Sequence, residues 1–295
     1  MLRKATYPTK FSMKIKFTKM QGAGNDFLVF DGIHQQIQFT PEQWKALADR
    51  RFGVGADQML VVQRSDIPEV DFLYRIYNAD GGEVEHCGNG ARAFVKFVHE
   101  KKLIKKKRIR VEIMKGIIEV NLEEDGNVTV DMNAPVLDPE QVPFDTKGLK
   151  SKTEAAATLW PLDVGKKKIQ VTVLSMGNPH AVQIVEDVEA TDVAGEGALI
   201  EHHARFPNRV NASFMQIIDE HHIKLRVFER GAGETLACGT GACAAAVSGI
   251  LRGRLTSPVQ VAARGGELTI RWAGGDQPVF LTGPAVKVFE GEINL

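Results

Sequence analysis

No apolar run in these 295 positions approaches the roughly 18 residues needed to span a bilayer, and the longest near the N-terminus is Phe27 to Phe30. Neither a membrane-spanning helix nor a signal-peptide core is expected. Net charge is missing too, with 37 Lys and Arg against 37 Asp and Glu. That argues against a protein that coats nucleic acid and against a polybasic membrane binder. Cysteine is scarce. Three residues, an odd number in a long chain, make no disulfide framework. The expected setting is therefore reducing and cytoplasmic, with thiols free to react. What remains is an ordinary globular composition, 43% hydrophobic and 25% charged, at a length that suits two domains or one large one.

Residues 1–12 carry Arg3, Lys4, Pro8 and Lys10 without periodicity and read as a flexible arm. Beyond them the chain repeats itself. Residues 72–94 align with residues 223–245 at a constant offset of 151, with eight identities in 23 positions. Arg75 meets Arg226, Glu83 meets Glu234, and Cys87 meets Cys238. Upstream, Gly24-Asn25-Asp26-Phe27 resembles Gly177-Asn178-Pro179-His180. Such self-similarity implies two structurally similar halves. They span 13–135 and 136–283, joined around residues 134–166, where Pro135, Pro139, Pro143 and Pro161 gather.

Each half reads as short strands, a helix, a strand entering the Cys-Gly-x-Gly turn, an Ala-rich helix and three closing strands. In the first half, Thr40, Pro41 and Gln43 spell a capped helix start. In the second, Gly197 to Arg205 occupies the corresponding place. The Ala-rich helices are expected near 88–101 and 239–252. Strands outnumber helices, so the fold class is α/β with two pseudo-symmetric domains. Each is a mixed or antiparallel sheet with a buried central helix.

The duplicated turn is where chemistry concentrates. Cys87 and Cys238 each precede Gly-x-Gly-Ala at a strand-to-helix junction. Glycines let backbone N–H groups approach an anion, and a helix N-terminus favours both a carboxylate ligand and a thiolate. Close packing of small residues would explain one such turn, but two in register, both with Cys, call for a function. Cys243 has no counterpart, since Arg92 holds its place in the repeat, and it reads as a buried core residue. Two thiols facing each other across a pseudo-twofold cleft suit racemisation or epimerisation. One removes a proton from a stereocentre and the other returns one to the opposite face.

Other readings fit less well. A disulfide oxidoreductase would want Cys-x-x-Cys, and a thiol hydrolase would want one Cys with a dedicated His. His202-His203 and His221-His222 lack metal spacing to a cysteine and read as surface residues, so no metal is expected. Gly22-Ala-Gly24-Asn-Asp-Phe27 is not a dinucleotide fingerprint. Seven basic residues between Lys101 and Arg110 read as a solvated helix end rather than a nucleic-acid site.

At Gly24-Asn25-Asp26-Phe27, Gly55-Ala-Asp57-Gln58, Asn78-Ala-Asp80-Gly81, Cys87-Gly-Asn-Gly-Ala-Arg92, Met176-Gly-Asn-Pro-His180, Glu229-Arg230-Gly-Ala-Gly-Glu234 and Ala237-Cys-Gly-Thr-Gly241 the sequence resembles the diaminopimelate epimerase family of PLP-independent racemases. The resemblance runs from Met13 to the C-terminus. It implies interconversion of LL- and meso-2,6-diaminopimelate in lysine and peptidoglycan precursor synthesis. It also implies a homodimer, no cofactor and no metal, and a C-terminal strand, residues 284–295, that returns to the first half. By position, Cys87 and Cys238 would be the acid/base pair. Gly88, Asn89, Gly239 and Thr240 would bind the reacting carboxylate, with Asn25 and Gln58 near the reacting end. Asn78, Asn178, Asn211, Glu229 and Arg230 would hold the distal amino and carboxylate groups. Arg230 beside Glu229 offers a cation and an anion, as a second amino-acid head requires. A proline or hydroxyproline racemase-like enzyme is the nearest alternative, and a catalytically dead binding protein of the same fold is another.

Overall fold

The computed structural model describes residues 14–84 and 88–294. The arm expected over residues 1–12 and the cysteine at 87 lie outside the described residues. The chain begins with β1 (Lys14–Gly22), β2 (Asn25–Asp31), α1 (Pro41–Ala48), β3 (Gln58–Gln63), β4 (Phe72–Asn78) and β5 (Glu83–Val84). It continues through α2 (Gly88–Glu100), β6 (Arg108–Ile113), β7 (Gly116–Leu122) and β8 (Val128–Asp131). Next come β9 (Lys152–Glu154), β10 (Ala157–Val164), β11 (Lys167–Ser175), β12 (Pro179–Ile184), α3 (Val193–Glu201) and β13 (Asn211–Ile217). The chain closes with β14 (His222–Glu229), β15 (Gly233–Thr235), α4 (Gly239–Leu251), β16 (Val259–Ala263), β17 (Gly266–Arg271), β18 (Phe280–Gly283) and β19 (Val286–Asn294). The fold is mixed α/β, with a large sheet and few helices.

The pairing is duplicated strand for strand. β2 lies parallel to β3 with Phe27 opposite Gln58, and β12 lies parallel to β13 with His180 opposite Asn211. β3–β4 and β13–β14 are both antiparallel, while β4–β6 and β14–β16 are both parallel. Antiparallel β8 and β18 join the two sets. β19 comes back to pair with β1, as β10 pairs with β11 in the other set.

Why α2 and α4 sit inside follows from their composition. In α4, every residue from Gly241 to Gly249 is buried, so the helix has no polar face to show to water. In α2, Ala91, Ala93, Phe94, Val95, Phe97 and Val98 are buried. Both helices share one hydrophobic cluster with strands of both sets. The third glycine-motif position serves this packing. A Cβ on Gly90 would lie 2.2 Å from the Tyr74 hydroxyl, and one on Gly241 would lie 2.9 Å from Val227.

Three expectations change. The helix sought at Gly197 to Arg205 is α3, which starts earlier because Asp192 accepts from the Gly195 N–H at 2.9 Å. Gly195 and Gly197 hid that start, since glycine weakens helix propensity. Gly197 is nevertheless needed, because a Cβ there would meet Phe228 at 2.5 Å. The segment read as a joint over 134–166 holds β9 and β10, in which Ala157, Leu159, Leu162 and Val164 are buried. Pro161 disguised that strand. The basic run from Lys101 follows the end of α2 instead of extending it, and much of it is ion-paired: Lys106 with Asp71 at 2.7 Å, Arg108 with Glu119 at 2.5 Å.

Candidate functional site

In the second half, β14 and β15 form a hairpin that carries Glu229 and Arg230 at its turn and runs on into Cys238. Arg226 clamps its two strands through a forked ion pair with Glu234, Nε to Oε1 at 2.6 Å and Nη2 to Oε2 at 2.9 Å. The first half repeats this fork in β4 and β5, with Arg75 on Glu83 at 2.8 and 2.6 Å. The same device ties together the two strands of each hairpin.

Cys238 is the N-cap of α4 and is 5% exposed. Its Sγ accepts from the Gly241 N–H at 3.3 Å and lies 3.4 Å from Thr240 Oγ1. The helix N-terminus alone would favour a thiolate. Burial and the adjacent Glu229 charge outweigh it and push the Cys238 thiol well above its ordinary range. Cys238 therefore rests as a thiol. The Glu229 carboxyl is raised as well, chiefly by burial, while it accepts from Thr235 Oγ1 and is hydrogen-bonded to Cys238. Glu229, assigned from the sequence to the distal group, thus touches the thiol. Cys243 is fully buried and pushed up to about 12 by that burial.

The other half reaches this turn through Asn89, in the first turn of α2. Its Nδ2 donates to the Ala237 carbonyl at 3.3 Å and contacts Asn25 Oδ1 at 3.5 Å. A Cβ on Gly239 would lie 3.5 Å from Asn89 Oδ1. The N-terminal turns of α2 and α4 consequently adjoin.

The remaining candidate residues fall at matching strand positions in the two halves. Gln58 Nε2 donates to Asn78 Oδ1 at 2.8 Å, at the facing ends of β3 and β4. Asn211 opens β13, where its Nδ2 donates to the Pro179 carbonyl and its Oδ1 accepts from the Arg230 N–H, both at 2.9 Å. Arg230 is exposed and donates through Nη1 to the Asn208 carbonyl at 3.1 Å. Asn178 Oδ1 lies 2.9 Å from Nε2 of His180. His180 is fully buried, and burial, reinforced by the Arg230 charge, pushes its pKa down to about 3. The structure joins Asn25, Asn89, Gly239, Thr240, Glu229 and Cys238 into one contiguous group. No hydrogen bond among the described residues ties Gln58 and Asn78 directly to Asn178 and Asn211.

Reading by motif gave no role to several polar neighbours. Asp57 accepts from Asn25 Nδ2 at 2.9 Å, and Arg50 bridges Asp57 and Asp26 at 2.8 and 2.6 Å. Burial opposes the charge on Asp26, but hydrogen bonds from Arg50, Lys19 and the Asp57 backbone hold its carboxyl well below the usual carboxylate range. Both Asp57 and His180 stood inside quoted motifs, and position was their only signal. Among the described residues no group of three or more His, Cys, Asp or Glu is arranged to hold a metal ion.

A sequence profile described as diaminopimelate epimerase matches residues 17–137 and 172–288. A diaminopimelate epimerase from Herminiimonas arsenicoxydans is 70% identical over 283 residues, 96% of this chain and 100% of the relative. One from Cupriavidus necator is 62% identical over 283 residues, 96% of this chain and 98% of the relative. Among solved structures, a hydroxyproline epimerase from Agrobacterium vitis superposes with a TM-score of 0.68 at 13% identity, covering 97% of this chain and 94% of that one. That likeness is one of fold alone.

Proposed function

The chain belongs to the diaminopimelate epimerase family, and from that premise we propose that it interconverts LL- and meso-2,6-diaminopimelate through Cys87 and Cys238 as a two-base pair. As an isomerase of this kind it serves lysine biosynthesis. The observation that carries the reading is the Asn89–Ala237 hydrogen bond, which sets the first turn of α2 against the turn bearing Cys238.

The substrate carboxylate binds at the two helix N-termini, on the N–H groups of Gly88, Asn89, Gly239 and Thr240. With the α-carbon between the thiols, the Cys87 thiolate takes the α-proton. The carbanion is stabilised as an enolate against the N–H groups, and the Cys238 thiol gives its proton to the opposite face. Cys87 is left as a thiol and Cys238 as a thiolate. To reset the pair, Cys87 releases its proton to solvent and Cys238 takes a new one from solvent, for which Glu229, hydrogen-bonded to Cys238, is placed as a relay. Gln58, Asn78, Asn178, Asn211 and Arg230 hold the remaining amino and carboxylate groups.

Two identical chains are proposed to associate through β19. Among the described residues this strand pairs only with β1, and it exposes Val286, Val288 and Phe289. A reducing cytoplasm would keep the thiol pair active. The test is direct: purified protein is incubated with LL-diaminopimelate and the stereoisomers are separated. The meso form should accumulate to equilibrium, and its absence would overturn the assignment.

A further inference from the structure

Asn25 and Asn178 occupy the same place in the two halves. Each follows a glycine of positive φ, Gly24 at 84° and Gly177 at 88°, and each leads into the strand that lies parallel to β3 or β13. A side-chain amide has two chemically opposite ends, and which end faces a ligand is decided by what grips the other. The two halves grip opposite ends. In the first half, Asp57 Oδ2 accepts from Asn25 Nδ2 at 2.9 Å, so the amide nitrogen is held and the oxygen is turned away from the carboxylate, with Asn89 Nδ2 3.5 Å from it. In the second half, His180 Nε2 lies 2.9 Å from Asn178 Oδ1, so the oxygen is held and the amide NH2 is left to face elsewhere.

The polarity of the histidine bond follows from burial. His180 is neutral, so it has a single N–H. Placing that hydrogen on Nε2 satisfies Asn178 Oδ1 and leaves on Nδ1 only a buried lone pair. The reverse arrangement would bury an unpaired N–H, the costlier choice.

The gripping residues are exchanged between the halves. The residue matching Asp57 is Val210, directly before Asn211 as Asp57 is directly before Gln58, and it is wholly buried. The residue matching His180 is Phe27, also wholly buried. Each half thus keeps one polar gripping residue and an apolar residue at the other position. A shared packing requirement would have left the same residue in both.

We infer that Asp57 and His180 are positioning residues of opposite sense: Asp57 makes Asn25 a hydrogen-bond acceptor for a substrate ammonium, and His180 makes Asn178 a donor for a substrate carboxylate. The Asp57 carboxylate is itself held by further hydrogen bonds. Asp57 Oδ2 also accepts from the Asp26 N–H at 3.1 Å, the Asp57 N–H donates to Asp26 Oδ1 at 2.9 Å, and Arg50 spans both carboxylates. A carboxylate behind the Asn25 amide also polarises it, which strengthens its oxygen as an acceptor. The inference rests on the epimerase reading, because the ammonium and carboxylate are those of diaminopimelate.

The experiment is a pair of double-mutant cycles on the full chain, reading kcat and KM for diaminopimelate. Asp57→Val and His180→Phe install the other half's residue, while Asp57→Asn keeps an acceptor oxygen and His180→Gln keeps a donor nitrogen. Each of the first two should lower kcat/KM by about tenfold, the effect of one lost charge-assisted or buried hydrogen bond. Asp57→Val should add little in an Asn25→Ala background, and His180→Phe little in an Asn178→Ala background. The Asn and Gln variants should recover most of the loss. Losses that simply multiply, or conservative variants as poor as the apolar ones, overturn the inference. If Asp57→Val does not fold, the isosteric Asp57→Asn and the His180 cycle still decide. Wild-type activity in the same assay separates failure of this inference from failure of the epimerase reading.

Discussion

Asn89 Nδ2 donates across the two halves to the carbonyl of Ala237, 3.3 Å away, the residue just before Cys238. One side chain thereby couples the first turn of α2 to the turn that presents the thiol. Asn89 is 3% exposed, so the bond is shielded from water and the two turns hold a fixed relation. Two helix N-termini brought together in this way favour a single anion between them.

The cysteines come first. Cys87→Ala and Cys238→Ala should each abolish epimerisation with the fold intact by circular dichroism, because the proposed two-base mechanism uses each thiol once per turnover. Cys243→Ala should stay active. Its thiol is buried within α4, so the change costs at most a modest loss of packing, about 1 kcal/mol. Near wild-type turnover by either of the first two variants would remove the two-thiol mechanism.

Arg230→Met should weaken diaminopimelate binding by more than tenfold, since a charge-assisted contact contributes roughly 1.5–3 kcal/mol. The Arg230 backbone is fixed separately by Asn211, so the loop should persist. An unchanged KM would take Arg230 out of the substrate site.

Oxidation should join Cys87 to Cys238 and stop turnover, and reductant should restore it. Peptide mapping identifies the bridge. Cys243 in the bridge would contradict the facing-thiol arrangement, because that residue is fully enclosed by α4 and its surrounding sheet.

The pH dependence of stability tests the buried histidine. His180 has its pKa lowered from 6.5 to about 3, so the unfolded chain binds its proton first as pH falls. Its contribution is fully present above pH 6.5 and is lost progressively towards pH 3, by about 1.4 kcal/mol per pH unit. Urea titrations should show this slope in wild type and a shallower one in His180→Phe. Equal slopes would mean that His180 is not held neutral.

Sequence and structure part at identifiable places. The duplicated strand order, the Thr40 cap and the two buried helices were legible because periodicity, capping and repetition are local signals that agree. α3 began earlier than expected because its cap, Asp192, stands before two glycines. The protonation of Cys238 was not legible. The helix terminus is visible in the sequence, but Glu229 approaches from another strand and burial belongs to the whole fold. Nor were the roles of Asp57 and His180. Asn25 and Asp57 are 32 residues apart, and only the parallel register of β2 and β3 brings them together.

Catalysis by two thiols requires two groups to act on opposite faces of one carbon. In deuterated water the returning proton comes from a thiol already exchanged with solvent, while the departing proton leaves on the other cysteine. The decisive measurement is mass spectrometry of separated stereoisomers at low conversion, starting from LL-diaminopimelate. Two thiols acting in this way should place deuterium at the α-carbon of the meso product and leave the substrate pool largely protiated. Rapid labelling of the substrate, with protium retained in the product, would contradict it and point to a single base serving both faces.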